Sequence, residues 1–269
     1  MTILTKRLRA CGIAGLAGLL CLSAPALAAD EIWPILKEQA FGDRAIAEDG
    51  MVVLEIPGTA EDAALVPLTV RVPPHVKQGL KSLTLFIDKN PDPRIATLTF
   101  GPAAGKGGER NFATRVRIED FSYVRAVLET EDGTLHMASK FVAAAGGCAA
   151  MAAKDPEAET VDLGKTIVKA FPPALPSSPI WSGQVMIKHP NANGMQLDIN
   201  TANFIPARYV REMTVKRGGE LVFKMDSTFS ISTNPNFRFT FGRGDDNSLD
   251  VTIVDTDQTR FAAQSGPGS

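Results

Sequence analysis

Apolar and polar residues alternate in short runs along most of the chain, and its first half contains seven such runs. The runs cover residues 51–56, 66–72, 82–87, 95–100, 113–118, 122–129 and 135–142. Turn-forming clusters separate them, such as Pro57-Gly58 and Glu131-Asp132-Gly133. Short alternating strands with turn residues between them are typical of a β-sandwich. The pattern therefore predicts a sandwich over residues 30–148.

The same period of two recurs nearer the C-terminus. Phe237, Phe239 and Phe241 are separated by polar residues, and the runs 221–225 and 249–253 alternate in the same way. Strands of this kind bury one face and expose the other. The sequence predicts six or seven strands between residues 183 and 262, and hence a second sandwich over residues 181–269.

Residues 149–180 differ from both neighbours because they are rich in proline. The prolines are Pro156, Pro172, Pro173, Pro176 and Pro179. Proline lacks a backbone donor and favours extended chain, so this segment is predicted to be a linker with at most one short helix, over residues 162–170.

The start of the first domain has helical rather than strand spacing. Ile32, Ile35 and Leu36 recur at helical intervals, and Pro34 suits a first turn. We expect a short helix that packs Trp33 on the first sandwich. The predicted fold class is thus all-β, with two β-sandwich domains, a proline-rich linker and one short N-terminal helix.

Residues 1–29 have the pattern of a secretory signal peptide. Basic residues precede an apolar stretch over residues 10–22, which is too short to cross a bilayer. A small-x-small cleavage pattern ends at Ala28. The expectation is export to the periplasm, with a mature chain that begins at Ala29 or Asp30.

Removal of this segment would change the chemistry of the chain. It takes away Cys11 and Cys21, neither of which follows a lipoprotein motif, and it removes positive charge from a chain whose formal net charge is already −2. A mildly acidic protein has no basic footprint for nucleic acid. No further run of 18 apolar residues follows, so neither nucleic acid nor a membrane is an expected partner.

Cys148 is then the one cysteine that the mature chain keeps, and it lies in an alanine and glycine tract over residues 143–150. The tract has no strand or helix period. We therefore predict an exposed thiol on a flexible arm, with Gly146 and Gly147 supplying the flexibility. No basic residue lies within five positions, so nothing local lowers its pKa from about 8.5. This indicates a covalent carrier residue more than an activated nucleophile.

Motifs for catalysis or cofactor binding are missing from the sequence. His75, His136 and His189 are isolated, and no pair of histidines or cysteines has the short spacing of a metal site. Adjacent carboxylates such as Glu119-Asp120 are interpreted as solvated turn residues. We expect no metal, no cofactor and no catalytic residue, and so no enzyme.

Two sets of motifs resemble the SoxY and SoxZ proteins of bacterial sulfur oxidation. Those that resemble SoxY lie at residues 41–44, 54–57, 60–67 and at the Gly-Gly-Cys end of 141–148. Those that resemble SoxZ are His189-Pro190, Gly194 and the segments 205–210 and 232–241. Together they span almost the whole mature chain in the right order.

This resemblance implies that two proteins, separate in the family, are fused here. It implies an immunoglobulin-like sandwich in each half, docking of the halves face to face, and a sulfur intermediate carried on Cys148. Partners would be periplasmic oxidoreductases that act on the cargo. The family arm ends Gly-Gly-Cys-Gly-Gly at the chain terminus, whereas here Ala149-Ala150 follow and the chain continues.

Two other functions remain open. Fused SoxYZ-like proteins are also associated with periplasmic quinoprotein (PQQ-type) alcohol dehydrogenases, and the chain resembles that branch. In that case it is a non-covalent docking module for the dehydrogenase or its cytochrome, and Cys148 is incidental. The third possibility is an enzyme that uses Cys148 as nucleophile and a distant histidine as base.

Overall fold

The structure is a computed structural model that describes residues 32–148, 161–198 and 201–266. The predicted signal peptide, residues 1–29, lies outside the described residues, as does the part of the predicted linker over 149–160. The export signal therefore stays a prediction.

The first half, residues 32–148, consists of one helix, a short 3-10 helix (Pro102–Ala104) and eight strands. The helix is α1 (Trp33–Phe41). The strands are β1 (Ile46–Ala47), β2 (Val53–Glu55), β3 (Val66–Val72), β4 (Leu80–Ile87), β5 (Arg94–Phe100), β6 (Arg110–Val116), β7 (Ser122–Thr130) and β8 (Leu135–Val142). All seven predicted strands are present, and only the two-residue β1 was not anticipated.

The described part of the second half, residues 161–198 and 201–266, contains seven strands. They are β9 (Thr166–Phe171), β10 (Ile180–Ile187), β11 (Val210–Arg217), β12 (Glu220–Ser227), β13 (Asn236–Gly242), β14 (Leu249–Asp255) and β15 (Arg260–Gln264). Phe237, Phe239 and Phe241 are buried as their alternation predicts. The all-β class and the two immunoglobulin-like sandwich domains are confirmed.

One strand lies where the linker was predicted. Residues 162–170 form no helix, because β9 starts at Thr166 and pairs antiparallel with β10. Val168 and Ala170 face the core while Ile167 and Phe171 are exposed, a period of two that the surrounding prolines obscured. Pro172 and Pro173 follow the strand and leave its ladder intact.

Two sheets run through both halves of the molecule. The larger has the order β1-β8-β7-β4-β5-β12-β11-β14-β15, and the smaller has the order β2-β3-β6-β13-β10-β9. Each sheet passes from the first half to the second through one antiparallel pair, β5 with β12 and β6 with β13. We call these two pairs the strand seam.

The strand seam corrects the expected mode of docking. The halves do not stack face to face; they join edge to edge, with each layer of one sandwich continuing into a layer of the other. A single cluster of buried apolar residues extends through both halves. Edge pairing satisfies backbone donors and acceptors that a face-to-face contact would leave open at the sheet edges.

Aromatic side chains fill the core at the strand seam. Phe112 of β6 has its ring centroid 6.3 Å from that of Phe223 on β12, and 6.1 Å from that of Phe237 on β13. Phe223 also lies 5.0 Å from Phe239 in an edge-to-face arrangement. Edge-to-face and offset geometries are the favoured ones for aromatic pairs, so the seam is packed as a protein interior.

Helix α1 covers the outer face of the larger sheet, as predicted. Trp33 packs edge-on against Phe86 of β4 at 5.5 Å. The guanidinium of Arg125 lies 4.6 Å from the centre of the Trp33 ring and is paired with buried Asp88 at 2.8 Å. The helix therefore closes a second, smaller apolar cluster on this face.

Candidate functional site

The tract that carries Cys148 leaves β8 and runs along the segment between β6 and β7. The Ala143 amide donates to the Gly58 carbonyl at 2.8 Å. Further on, the Gly146 amide donates to the carbonyl of Glu119 at 2.8 Å, and the Gly147 amide donates to that of Ile118 at 2.9 Å. These bonds fix the backbone of the tract against the first half.

Cys148 is held by one residue from each half. Its amide donates to Oε2 of Glu119 at 2.8 Å, and its carbonyl oxygen accepts a hydrogen bond from Nδ2 of Asn193 at 2.5 Å. Asn193 belongs to the connection between β10 and β11. We call the groups around Gly147 and Cys148, contributed by Ala63, Ile118, Glu119 and Asn193, the arm pocket.

The predicted exposure of Cys148 is wrong for this conformation. The residue is 0 % exposed, although the tract has no sequence period that signals burial. Burial raises the pKa of the Cys148 thiol to about 12; the nearby carboxylate of Glu119, which also accepts the thiol hydrogen bond, adds to the shift, and Arg117 opposes it. In the arm pocket the thiol is therefore protonated and a poor nucleophile at neutral pH.

The two glycines before Cys148 have steric roles in the docked tract, and the flexibility predicted for them from the sequence stays a prediction. Gly146 has a φ of +77°, a backbone conformation that L side chains adopt at a cost. At Gly147 a Cβ atom would lie 2.2 Å from the carbonyl oxygen of Ala63 and 2.6 Å from that of Ile118. Glycine at 147 is thus a condition for the tract to fit the arm pocket.

Arg117, directly before the arm-pocket residues Ile118 and Glu119, bonds the first half to the second half. It is 2 % exposed, and its guanidinium donates to the carbonyls of Phe229 and Ile231 at 2.6 and 2.8 Å and to Oγ1 of Thr233 at 2.8 Å. Its amide also donates to the Ser230 carbonyl. The wall next to Cys148 is thereby fixed by polar bonds across the two halves.

A hydrogen-bond network around the buried His189 supports the second-half side of the arm pocket, which contains Asn193. The amide of Asn191 donates to Nδ1 of His189, and the Asn191 side chain bonds to the Ile231 carbonyl and to the amide of Val210. Nε2 of His189 lies 3.5 Å from Oδ2 of Asp255. Burial lowers the pKa of His189, and Asp255 opposes that shift. This network holds the segment that ends in Asn193.

The three histidines do not come together. His75 is exposed, His136 bonds to Asp49 at 2.9 Å, and His189 is buried beside Asp255. Within residues 32–148, 161–198 and 201–266, no group of three or more histidine, cysteine, aspartate or glutamate side chains is placed to hold a metal ion.

Sequence reasoning missed the two residues that hold Cys148. Glu119 was interpreted as a solvated turn residue and Asn193 was not singled out. Glu119 precedes Cys148 by 29 positions and Asn193 follows it by 45, so no local pattern connects them.

Comparison with protein families gives a match in each half. The family described as sulfur oxidation protein SoxY matches residues 37–148, and the family described as sulphur oxidation protein SoxZ matches residues 174–265. The chain belongs to the SoxYZ family, with SoxY and SoxZ fused. Cys148 is the last residue of the SoxY match, and Asn193 lies within the SoxZ match, so the arm pocket lies between the two.

Two solved structures share part of this chain's length at low sequence identity. The sulfur carrier protein SoxY from Chlorobium limicola f thiosulfatophilum is 21% identical and aligns over 42% of this chain and 91% of its own, with a TM-score of 0.33. The secreted serine protease VesC from Vibrio cholerae is 13% identical over 82% of this chain and 52% of its own, with a TM-score of 0.22. No curated protein matches the chain.

Among the residues that the structure describes, no helix is long and apolar enough to cross a bilayer.

Proposed function

We propose that this SoxYZ protein is a periplasmic carrier that holds a sulfur intermediate covalently on Cys148. The arm would leave the arm pocket to present the cargo to sulfur-oxidation enzymes or other periplasmic oxidoreductases. The carrier itself performs no catalytic step.

The observation that carries the proposal is the position of Cys148 between the two family matches. It ends the SoxY-like half and is held by Asn193 of the SoxZ-like half. Within the described part of the chain, Cys148 itself makes one bond from its amide, one to its carbonyl and a weak one from its thiol. Release of the arm also breaks the bonds of the Gly146 and Gly147 amides. At a net contribution of about 1 kcal/mol per hydrogen bond, the total is small enough for the arm to open at ordinary temperature.

The internal position of the arm is compatible with this role. Cys148 follows Val142, the last residue of β8, by six positions, so a fully extended arm carries it at most about 20 Å from the end of the strand, at about 3.4 Å per residue. A loop of this reach can deliver Cys148 to a partner as a hairpin, where a free terminus would enter as a single strand.

A specific observation favours the docking-module alternative. Cys148 is fully buried and its thiol pKa is raised, which are also features of an inert structural cysteine. In that function the chain binds a quinoprotein dehydrogenase or its cytochrome without covalent cargo.

Intact-mass spectrometry of protein purified from the periplasm distinguishes these functions. The carrier should show a mass increase that a reductant removes, and Cys148→Ser should lack that species. The same spectrum reports the N-terminus, expected at Ala29 or Asp30. If the wild type carries no adduct in active cells and Cys148→Ser supports full activity of the partner system, the docking module replaces the carrier.

A further inference from the structure

The arm pocket places a carboxylate beside the atom that would carry the cargo. Oε2 of Glu119 accepts the amide of Cys148 at 2.8 Å, and the carboxylate also accepts the thiol hydrogen bond. The surroundings of Cys148 exclude solvent completely. A negative charge at this sulfur would meet both a missing hydration shell and a like charge.

We propose that Glu119 makes the arm pocket selective for charge: it accepts Cys148 as a neutral thiol or neutral adduct and rejects an anionic adduct, so that anionic loading releases the arm. The proposal rests on the carrier function above. It identifies Glu119 as a positioning residue, and the cargo class that it discriminates against is the sulfonate type, whose terminal oxygens carry a negative charge.

Arg117 is the opposing charge in the arm pocket. Its guanidinium donates to the Phe229 and Ile231 carbonyls and to Thr233 in the second half. The raised pKa of the thiol shows the balance: burial and Glu119 disfavour an anion at the sulfur more than Arg117 favours one. A thiolate and an anionic adduct share this penalty because both place charge next to the Glu119 carboxylate.

Two alkylating reagents of nearly equal size test the charge selectivity. Iodoacetate and iodoacetamide each form a bond from the Cys148 sulfur to a methylene carbon, break the carbon–iodine bond, and release iodide and the thiol proton. One leaves a carboxylate on the sulfur and the other a neutral amide. Hydrogen exchange of the amides of Gly146, Gly147 and Cys148, which are bonded in the arm pocket, then reports whether the arm is docked.

The expected result is at least roughly tenfold faster exchange of these amides in the carboxymethyl protein than in the carbamidomethyl protein, with an unchanged rate in the β-sheet core. Glu119→Gln keeps an oxygen that can accept a hydrogen bond from the Cys148 amide but removes the charge. It should therefore reduce the difference in exchange rate between the two adducts. Asp120→Asn is the matched control: this neighbouring carboxylate bonds to Lys89 and to the Phe121 amide, so its removal should leave the difference intact.

Equal exchange rates of the two adducts in the wild type would overturn the proposal. If both arms are released, the size of the adduct and not its charge controls docking; if both stay docked, neither charge nor size does. An undiminished difference in Glu119→Gln would overturn the role of Glu119. The alkylation experiment tests charge selectivity without natural cargo, and the mass measurement on purified protein tests the carrier function without docking. Failure of the charge-selectivity proposal is therefore distinguishable from failure of the carrier function.

Discussion

The strand seam and the arm pocket both connect the SoxY-like and SoxZ-like halves, but different kinds of interaction hold them together. The strand seam consists of backbone ladders and aromatic rings, with Phe112 and Phe223 almost fully buried. The arm pocket holds its cysteine by individual polar bonds to Glu119 and Asn193.

The difference shows which contact can open. Separation of the strand seam would expose a continuous apolar core and two sheet edges, each at a large cost in free energy. Release of Cys148 breaks a handful of hydrogen bonds that water can replace at about 1 kcal/mol each. The fusion thus combines a permanent connection with a releasable one, and the predictions below separate the two.

The largest effect is expected from Phe223→Ala in the strand seam. Phe223 is 1 % exposed and contacts rings from β6 and β13, so its truncation should lower the free energy of unfolding by about 3–5 kcal/mol. Chemical denaturation measures this. Phe121→Ala, at a half-exposed phenylalanine near the arm pocket, is the control and should change stability by under about 0.5 kcal/mol.

Gly147→Ala should release the tract that carries Cys148 from the arm pocket while leaving the strand seam intact. The added Cβ would contact two backbone carbonyls within 2.6 Å, and neither belongs to a movable side chain. In the native protein, iodoacetamide should then modify Cys148 nearly as fast as in unfolded protein. Gly146→Ala meets no atom within 4 Å and pays only about 1–2 kcal/mol for its positive φ, so its effect should be intermediate. Slow alkylation of Gly147→Ala would show that the tract is not docked as described.

Alkaline pH should weaken docking of the arm. The docked thiol has its pKa raised to about 12, whereas a free thiol titrates near 8.5, so the released arm loses its proton first as the pH rises. Docking should weaken by about 1.4 kcal/mol per pH unit above about 8.5 and stay constant below it. The ratio of Cys148 alkylation rates in native and unfolded protein should be flat to about pH 8.5 and rise up to about tenfold per unit beyond it. A flat ratio to pH 10.5 would contradict the perturbed pKa.

Asn193→Ala should have the smallest of these effects. It removes one hydrogen bond to the Cys148 carbonyl, worth about 1 kcal/mol, and should speed native-state alkylation about fivefold. Asn247→Ala is a matched control, since Asn247 bonds to Gly244 within its own turn. An alkylation rate equal to that of the wild type would mean that Asn193 does not hold the arm.

Local pattern was sufficient to predict most of the strands. A side-chain period of two between turn residues placed β3, β7 and β8 to within one residue of their observed ends, because burial of one face imposes that period wherever a strand lies on a core. The same period was present in β9, where neighbouring prolines concealed it. The fusion of the two families was likewise predicted from motifs that follow one another along the chain.

The sequence by itself determined the two sandwiches and the cysteine at the end of the first, while only the tertiary structure decided how the halves join and where the thiol lies. Edge pairing of β5 with β12 and β6 with β13 depends on which strands end at the sheet edges, which local alternation does not encode. Burial of Cys148 depends on Glu119 and Asn193, which are brought to it from distant positions by the strand seam. An alanine and glycine tract has no pattern of its own, so its environment is set entirely by the surfaces on which it docks.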